Sequence, residues 1–410
     1  MRKSNQTSAN KTTEERLFRK AVPDGVVERL NLGIYSVVEQ KDGSLMADNG
    51  RVSRDGGKNW SEPRAFVEKR PESRGAVGTG LIRLKSEALA YSGGGLVWIS
   101  CDEGRSWGQP KEAYPFTLAG PYYFGAELIQ LDSGRLLYPA YVSFGGHHPE
   151  LAYKDVSSYG TWRGERYQVE GHGHMPEIYV TVVAYSDDEG TTWEFARNTH
   201  GRPTALMGWF NEEGIPDGNR AVTGFGEATA AETADGRILM FARPLVNRVV
   251  RSYSSDGGES WSAVVPTSLA NSISPPRLVG MPKTRDLMCV WNQVSKDEIH
   301  RGYRRGRLSV AISKDCGASW ENFKTLEVSE GLEDVERIPA EYPIKMVRAR
   351  DDVGELPEGW AFFHYANVSF AGDKVFISYS RGTPRLGLAE QNLHKQEKVL
   401  RIYPLQWFYD

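Results

Sequence analysis

Along the chain, short apolar runs alternate with clusters of Gly, Asp, Asn and Ser. No apolar run reaches the about 18 residues that a membrane-spanning helix needs. Four segments carry the pattern most plainly: Lys41-Asp-Gly-Ser-Leu-Met, Asp132-Ser-Gly-Arg-Leu-Leu-Tyr, Asp235-Gly-Arg-Ile-Leu-Met-Phe and Gly372-Asp-Lys-Val-Phe-Ile. Each reads as a tight turn feeding a strand, because Gly and Asp supply turn conformations and the apolar run behind them fits a pleated surface. Hairpin following hairpin predicts a β-meander. Residues 1–25 are polar and charged and read as a tail with one short helix around Thr13–Lys20. Residues 143–176 form an insertion containing Gly145-Gly-His147-His148-Pro and Gly171-His172-Gly-His174-Met-Pro, and a second loop runs from Met207 through Trp209 and Phe210. Long loops in compact domains are often functional.

Between the hairpins one motif, Ser-x-Asp-x-Gly-x-x-Trp, occurs five times: Ser53 to Trp60, Ser100 to Trp107, Ser186 to Trp193, Ser254 to Trp261 and Ser313 to Trp320. Its physics is local. The Asp carboxylate accepts hydrogen bonds from N–H groups of its own turn. The Gly supplies a positive φ, and the Trp packs its face on the hairpin and donates its indole N–H. The motif resembles the Asp box, or BNR repeat, of the sialidase superfamily, and five copies in one chain make the resemblance specific. It implies an all-β, six-bladed β-propeller over residues 26–410, with each box between the third and fourth strands of a blade, away from the active site. None of the five Asp residues is therefore assigned to catalysis. The Ser-to-Ser intervals of 47, 86, 68 and 59 residues place the insertion in the second interval.

Composition narrows the partners. A net charge of −3, with acid and base interspersed, lacks the basic excess of a nucleic-acid binder. Three cysteines (Cys101, Cys289 and Cys316) with no CxxC argue against a disulfide framework or structural zinc, and fit a reducing compartment. The N-terminus has no apolar signal core, so a cytoplasmic location, or a secreted or periplasmic chain already trimmed, is expected. No cofactor and no resident metal are expected, and the partner is a glycan or small sugar.

Beyond the boxes, residues 120–385 resemble the BNR-like sialidases. Gly226-Glu227-Ala-Thr-Ala-Ala-Glu through Phe241-Ala-Arg243 is similar to the stretch carrying two active-site residues. By that resemblance Glu227 is the glutamate that assists a tyrosine nucleophile, and Arg243 is one of three arginines gripping a substrate carboxylate. Arg305, eight residues before Ser313, matches the third arginine, with Arg304 and Arg307 as neighbours open to confusion. Arginine suits the task because its planar fork binds a carboxylate bidentately and stays charged. Tyr365, in Phe363-His364-Tyr365, matches the nucleophile. Tyrosine near pKa 10 needs a base such as Glu227, and a neutral nucleophile avoids setting like charges together at an anionic anomeric centre. Glu127, in Phe124-Gly-Ala-Glu127, parallels Glu227 and is expected to reach the funnel from a neighbouring blade.

Two family positions depart. Gly33 stands where the first arginine would be, with Arg29 four residues out of register, and the acid/base Asp region reads Arg70-Pro-Glu72-Ser-Arg74. His147, His148, His172 and His174 offer an acid/base group near neutral pH, a metal ligand set, or an ordinary Gly/His-rich surface loop. Among them, His147 and His172 are taken as substrate-binding candidates. The leading reading is an exo-acting glycoside hydrolase on an acidic sugar at a glycan terminus. The alternatives are a non-catalytic carbohydrate-binding propeller and a polysaccharide lyase using His and Tyr on uronate-containing glycans.

Overall fold

The computed structural model describes residues 25–66, 80–114, 123–125, 127–144, 158–162, 165–169, 178–197, 206, 208–210, 221–223, 225–243, 247–272, 274–295, 298, 301, 303–332, 356–357, 359–384 and 393–410. The insertion histidines, Glu72 and the N-terminal tail lie outside the described residues.

Six antiparallel sheets follow one another as blades. Blade 1 is Val37–Glu39, Leu45–Ala47 and Val52–Ser53; blade 2 is Gly80–Arg83, Leu89–Gly93, Leu96–Ser100 and Lys111–Glu112. Blade 3 is Ile129–Gln130, Leu136–Phe144, Ile178–Ser186 and Glu194–Phe195, and blade 4 is Gly226–Glu232, Ile238–Arg243, Arg248–Ser254 and Val265–Ala270. Blade 5 is Arg277–Gly280, Leu287–Trp291, Arg307–Ser313 and Glu321–Val328. Blade 6 is Phe362–Ala371, Lys374–Pro384 and Leu393–Pro404, completed by the N-terminal strand Val27–Leu30 at its outer edge. The four turn-plus-strand segments of the sequence are the first hairpins of blades 1, 3, 4 and 6. Their second strands are apolar without alternation because neighbouring blades pack on both faces: Leu136, Leu137, Tyr138, Leu239, Met240 and Phe241 are all fully buried.

The ring is closed by a side-chain hydrogen bond at every junction. Ser36 Oγ accepts from Leu81 N at 2.9 Å, Gln130 Oε1 from Lys85 N at 2.7 Å, and Glu232 Oε2 from Asp132 N at 2.6 Å. Thr229 donates to Leu278 O at 3.0 Å, Asn292 Nδ2 to Phe363 O at 3.0 Å, and Ser369 Oγ accepts from Val37 N at 3.1 Å. The last of these joins blade 6 to blade 1. Pairing of Val27 with Ile402 makes the first and last strands neighbours, and Glu28, Arg401 and Glu327 link that edge to blade 5 at 2.8 Å per contact.

All five Asp boxes adopt one geometry. The Ser ends the third strand of its blade and bonds the Asp at 2.7–2.9 Å while accepting the Gly N–H at 2.8–2.9 Å. The Asp accepts the backbone N–H four residues on. Trp60, Trp193 and Trp261 donate to the Gly carbonyl at 3.0 Å. Trp107 and Trp320 correct the expectation that every indole does so: their nitrogens are buried with no acceptor among the described residues. The Gly is needed twice over. Its φ is 77–92°, and in four of the boxes a Cβ would strike the adjoining blade, as at Gly104, 2.7 Å from Met46, and Gly258, 2.7 Å from Leu137, while at Gly190 there is room. Blade 6 has no box; there the 3-10 turn Leu405–Phe408 brings Tyr409 onto blade 5, where its hydroxyl donates to Asp286 at 2.6 Å. No helix among the described residues is long and apolar enough to cross a membrane.

Candidate active site

Because each box ends a third strand, the opposite end of every blade gathers the start of the first strand, the end of the second and the start of the third. Glu227, Arg277 and Tyr365 lie at or near first-strand starts, Arg243 ends a second strand, and Arg305 leads into a third. These residues therefore share one end of the ring, away from the boxes.

Two of them are aimed by the same local device. In blade 4 the pairing steps from Gly226–Arg243 to Thr229–Phe241, so Glu227 and Ala228 face one residue; Glu227 has φ 45°. In blade 6 it steps from His364–Ser380 to Asn367–Ser378, and Tyr365 has φ 51°. Such bulges re-aim a side chain, and a non-glycine residue in this region is strained unless its surroundings hold it. Arg305 has φ 54° and is pinned on both sides: its N–H donates to Ser272 Oγ at 2.9 Å and its carbonyl accepts from Phe363 N at 3.0 Å. The other described positive-φ residues include Glu103, Glu189 and Cys316, which occupy the position before the box glycine.

Four of these side chains meet. The Tyr365 hydroxyl donates to Glu227 Oε1 at 3.1 Å, across 138 residues of sequence. Arg243 Nη1 donates to the other carboxylate oxygen at 2.8 Å, with both side chains at most 14% exposed. The Arg305 guanidinium lies 5.7 Å from the Tyr365 ring centroid and contacts His364 Nδ1 at 2.6 Å. The Glu227 charge first, and burial second, raise the Tyr365 phenol above its ordinary value against the pull of Arg243 and Arg305. The resting phenol therefore keeps its proton. Burial works against the Arg243 charge, but Glu227 and Tyr365 outweigh it and hold the guanidinium ionised.

Glu127 is buried against a cation: it forms an ion pair with Arg277 of blade 5, both side chains nearly enclosed. Burial draws the Arg277 guanidinium down to about 10, with the Tyr35 phenol opposing, so it stays cationic at neutral pH. Tyr35 feels Arg277, Glu227 and Tyr365 together, which ties this pair to the same hub. Arg277, Tyr35 and His364 had escaped the sequence reading. Arg277 carried one usable sign, since it opens a first strand much as Glu227 does. Arg29 is ruled out as the displaced arginine: it sits on the outer strand of blade 6 and donates to Lys58 O at 2.5 Å. Gly33 holds φ 66°. Arg307 is separated from Arg305 by its burial against Glu298 at 3.3 Å. His147 and His172 lie outside the described residues, and among the described residues no cluster of three or more His, Cys, Asp or Glu is placed to hold a metal. A cavity of about 480 Å³ between blades 1 and 2 is lined partly by the second Asp box, and its charges largely pair with one another, as in Arg54–Asp42 at 3.2 Å. It belongs to the box side of the ring.

Compared with the curated proteins, the chain matches none. Among solved structures it is similar to a protein of unknown function from Dyadobacter fermentans, with TM-score 0.53, 15% identity, and coverage of 93% of this chain and 99% of that one. It also matches the sialidase of Trypanosoma rangeli, with TM-score 0.47, 13% identity, and coverage of 95% of this chain and 61% of that one. The NanB sialidase of Streptococcus pneumoniae matches with TM-score 0.44, 11% identity, and coverage of 80% and 69%. Residues 92–356 match the model of the BNR repeat-like domain, and with five Asp boxes on a six-bladed ring the chain belongs to that family.

Proposed function

We propose that the protein is an exo-acting glycoside hydrolase for an acidic sugar, with Tyr365 as nucleophile and Glu227 as its base. The observation that carries the reading is the 3.1 Å hydrogen bond from the Tyr365 hydroxyl to Glu227, whose second oxygen is held by Arg243 at 2.8 Å. In the first step the phenol oxygen bonds to the anomeric carbon, its proton passes to Glu227, and the bond to the leaving oxygen breaks. An acid from an upstream loop protonates that oxygen. In the second step water attacks the anomeric carbon and gives a proton to the loop acid left deprotonated by the first step, the bond to the phenol oxygen breaks, and Glu227 returns its proton to Tyr365. Arg243 and Arg305 bind the sugar carboxylate.

A panel of aryl sialosides and aryl uronides tests this. Release of the aryl group, with Tyr365→Phe reducing kcat about a thousandfold or more while substrate binding persists, is the expected result. Binding without turnover on any member would favour a carbohydrate-binding propeller. A product absorbing in the near ultraviolet, as an unsaturated sugar does, would indicate a lyase.

A further inference from the structure

His364 precedes Tyr365 on the first strand of blade 6 and has no role in the chemistry above. Its ring lies near-parallel to Phe362, centroids 5.9 Å apart at 26°, and to Tyr365 on the next position at 6.4 Å and 26°. Nδ1 meets Arg305 Nη1 at 2.6 Å, and Nε2 is buried with no partner among the described residues. A guanidinium has only donors, so Nδ1 must offer a lone pair and the ring proton sits on Nε2. An imidazolium could not make this contact: it has no acceptor, and it would set cation against cation.

We propose that His364 is a positioning residue whose neutral imidazole fixes the Arg305 guanidinium for a sugar carboxylate without cancelling its charge. The inference rests on the reading of Arg305 as a carboxylate-binding group. The backbone of Arg305 is held by Ser272 and Phe363, and the bond to Nδ1 restricts the side-chain torsions. A carboxylate in place of His364 would hold the fork equally well, but it would compete with the substrate for the same charge. Among the described residues, the charged groups acting on the ring are Arg305 of blade 5, Arg243 of blade 4 and Lys398 of blade 6, the last donating to Ser380 Oγ at 2.6 Å. Burial and then these cations push the imidazole down to about 2.

Three variants separate positioning from packing: His364→Asn keeps a neutral acceptor near the place of Nδ1, His364→Leu removes it, and His364→Asp supplies a charged one. Binding of sialic acid, glucuronic acid and their methyl esters is measured by calorimetry on variants whose melting temperature matches the wild type. Loss of a hydrogen bond to a charged group predicts that His364→Leu weakens binding of the acids about ten- to a hundredfold. The methyl esters should be spared, and His364→Asn should stay within about threefold of wild type. His364→Asp should lose the acids as His364→Leu does. If His364→Leu binds the acids normally, or His364→Asp binds them as well as His364→Asn, the inference is overturned. Should His364→Leu fail to fold, the Asn–Asp comparison decides. Ring-nitrogen NMR, with the His364 signals identified by their loss in His364→Asn, supplies a readout independent of substrate. A neutral ring protonated on Nε2 at pH 5 is expected, and titration near 6.5 overturns the inference. Wild-type protein that binds neither acid would defeat the functional reading instead, leaving the NMR result to judge His364.

Discussion

Replacing Glu227 by Gln should make Tyr365 a stronger acid and yet a poorer nucleophile. The carboxylate oxygen accepts from the Tyr365 hydroxyl at 3.1 Å, and its charge is the largest cause of the raised phenol pKa. Two unit charges about 4 Å apart at an effective dielectric near 20 interact by about 4 kcal/mol. With the charge gone, burial alone is left to oppose Arg243 and Arg305 among the influences on the phenol. The Tyr365 pKa should fall, read as a shifted phenolate absorbance in a spectrophotometric titration against Tyr365→Phe. The proton acceptor is lost in the same substitution, so kcat should fall about a hundred- to ten-thousandfold. Stability should drop by about 1.5–3 kcal/mol, because Arg243 keeps a hydrogen-bond acceptor but loses a charged one. An unchanged or higher phenol pKa would refute the electrostatic argument. A variant retaining wild-type kcat with the lowered pKa would refute the role of Glu227 as base.

Gly258→Ala should destabilise the ring by about 2–5 kcal/mol, since the backbone sits at φ 92° and the new Cβ would lie 2.7 Å from Leu137 of blade 3; a thermal melt within a degree of wild type would contradict the wedge role of the box glycine. Asp55 and Asp102 are held at about 2, Asp55 chiefly by the Asn59 backbone N–H and Asp102 chiefly by the Ser106 hydroxyl. Their folded pKa lies below the unfolded value, so they stabilise the fold above about pH 4, and that contribution is lost as pH falls through about 2. Denaturant midpoints should decline over that window, and less steeply in Asp102→Asn. Glu127→Leu leaves Arg277 buried without its partner and should cost about 3–5 kcal/mol, whereas Glu127→Leu with Arg277→Met should be much milder; equal losses in chemical denaturation would show that the pair is not coupled.

What the sequence alone determined is what depends on neighbours within a few residues. Ser, Asp, Gly and Trp close a box inside an eight-residue span, and Asp-Gly or Ser-Gly turns start the first hairpins. Those interactions exist before the chain is assembled, so the repeat, the meander and the strand order could be read directly. The resemblance extended the reading to Glu227, Arg243, Arg305 and Tyr365, all of which lie at one end of the ring. The tertiary structure decided which charges meet. Arg277 is an ordinary arginine at a strand start until blade 3 brings Glu127 to it, and His364 is an apolar-face histidine until Arg305 arrives from blade 5. Nor could a pattern of residues reveal the bulges that give Glu227 and Tyr365 their positive φ, since neither is a residue type that favours it. The physical reason is closure: the hub is made by six strands that touch only when the first and last strands pair. Each charge there is then set by the burial and the partners that the closed ring imposes.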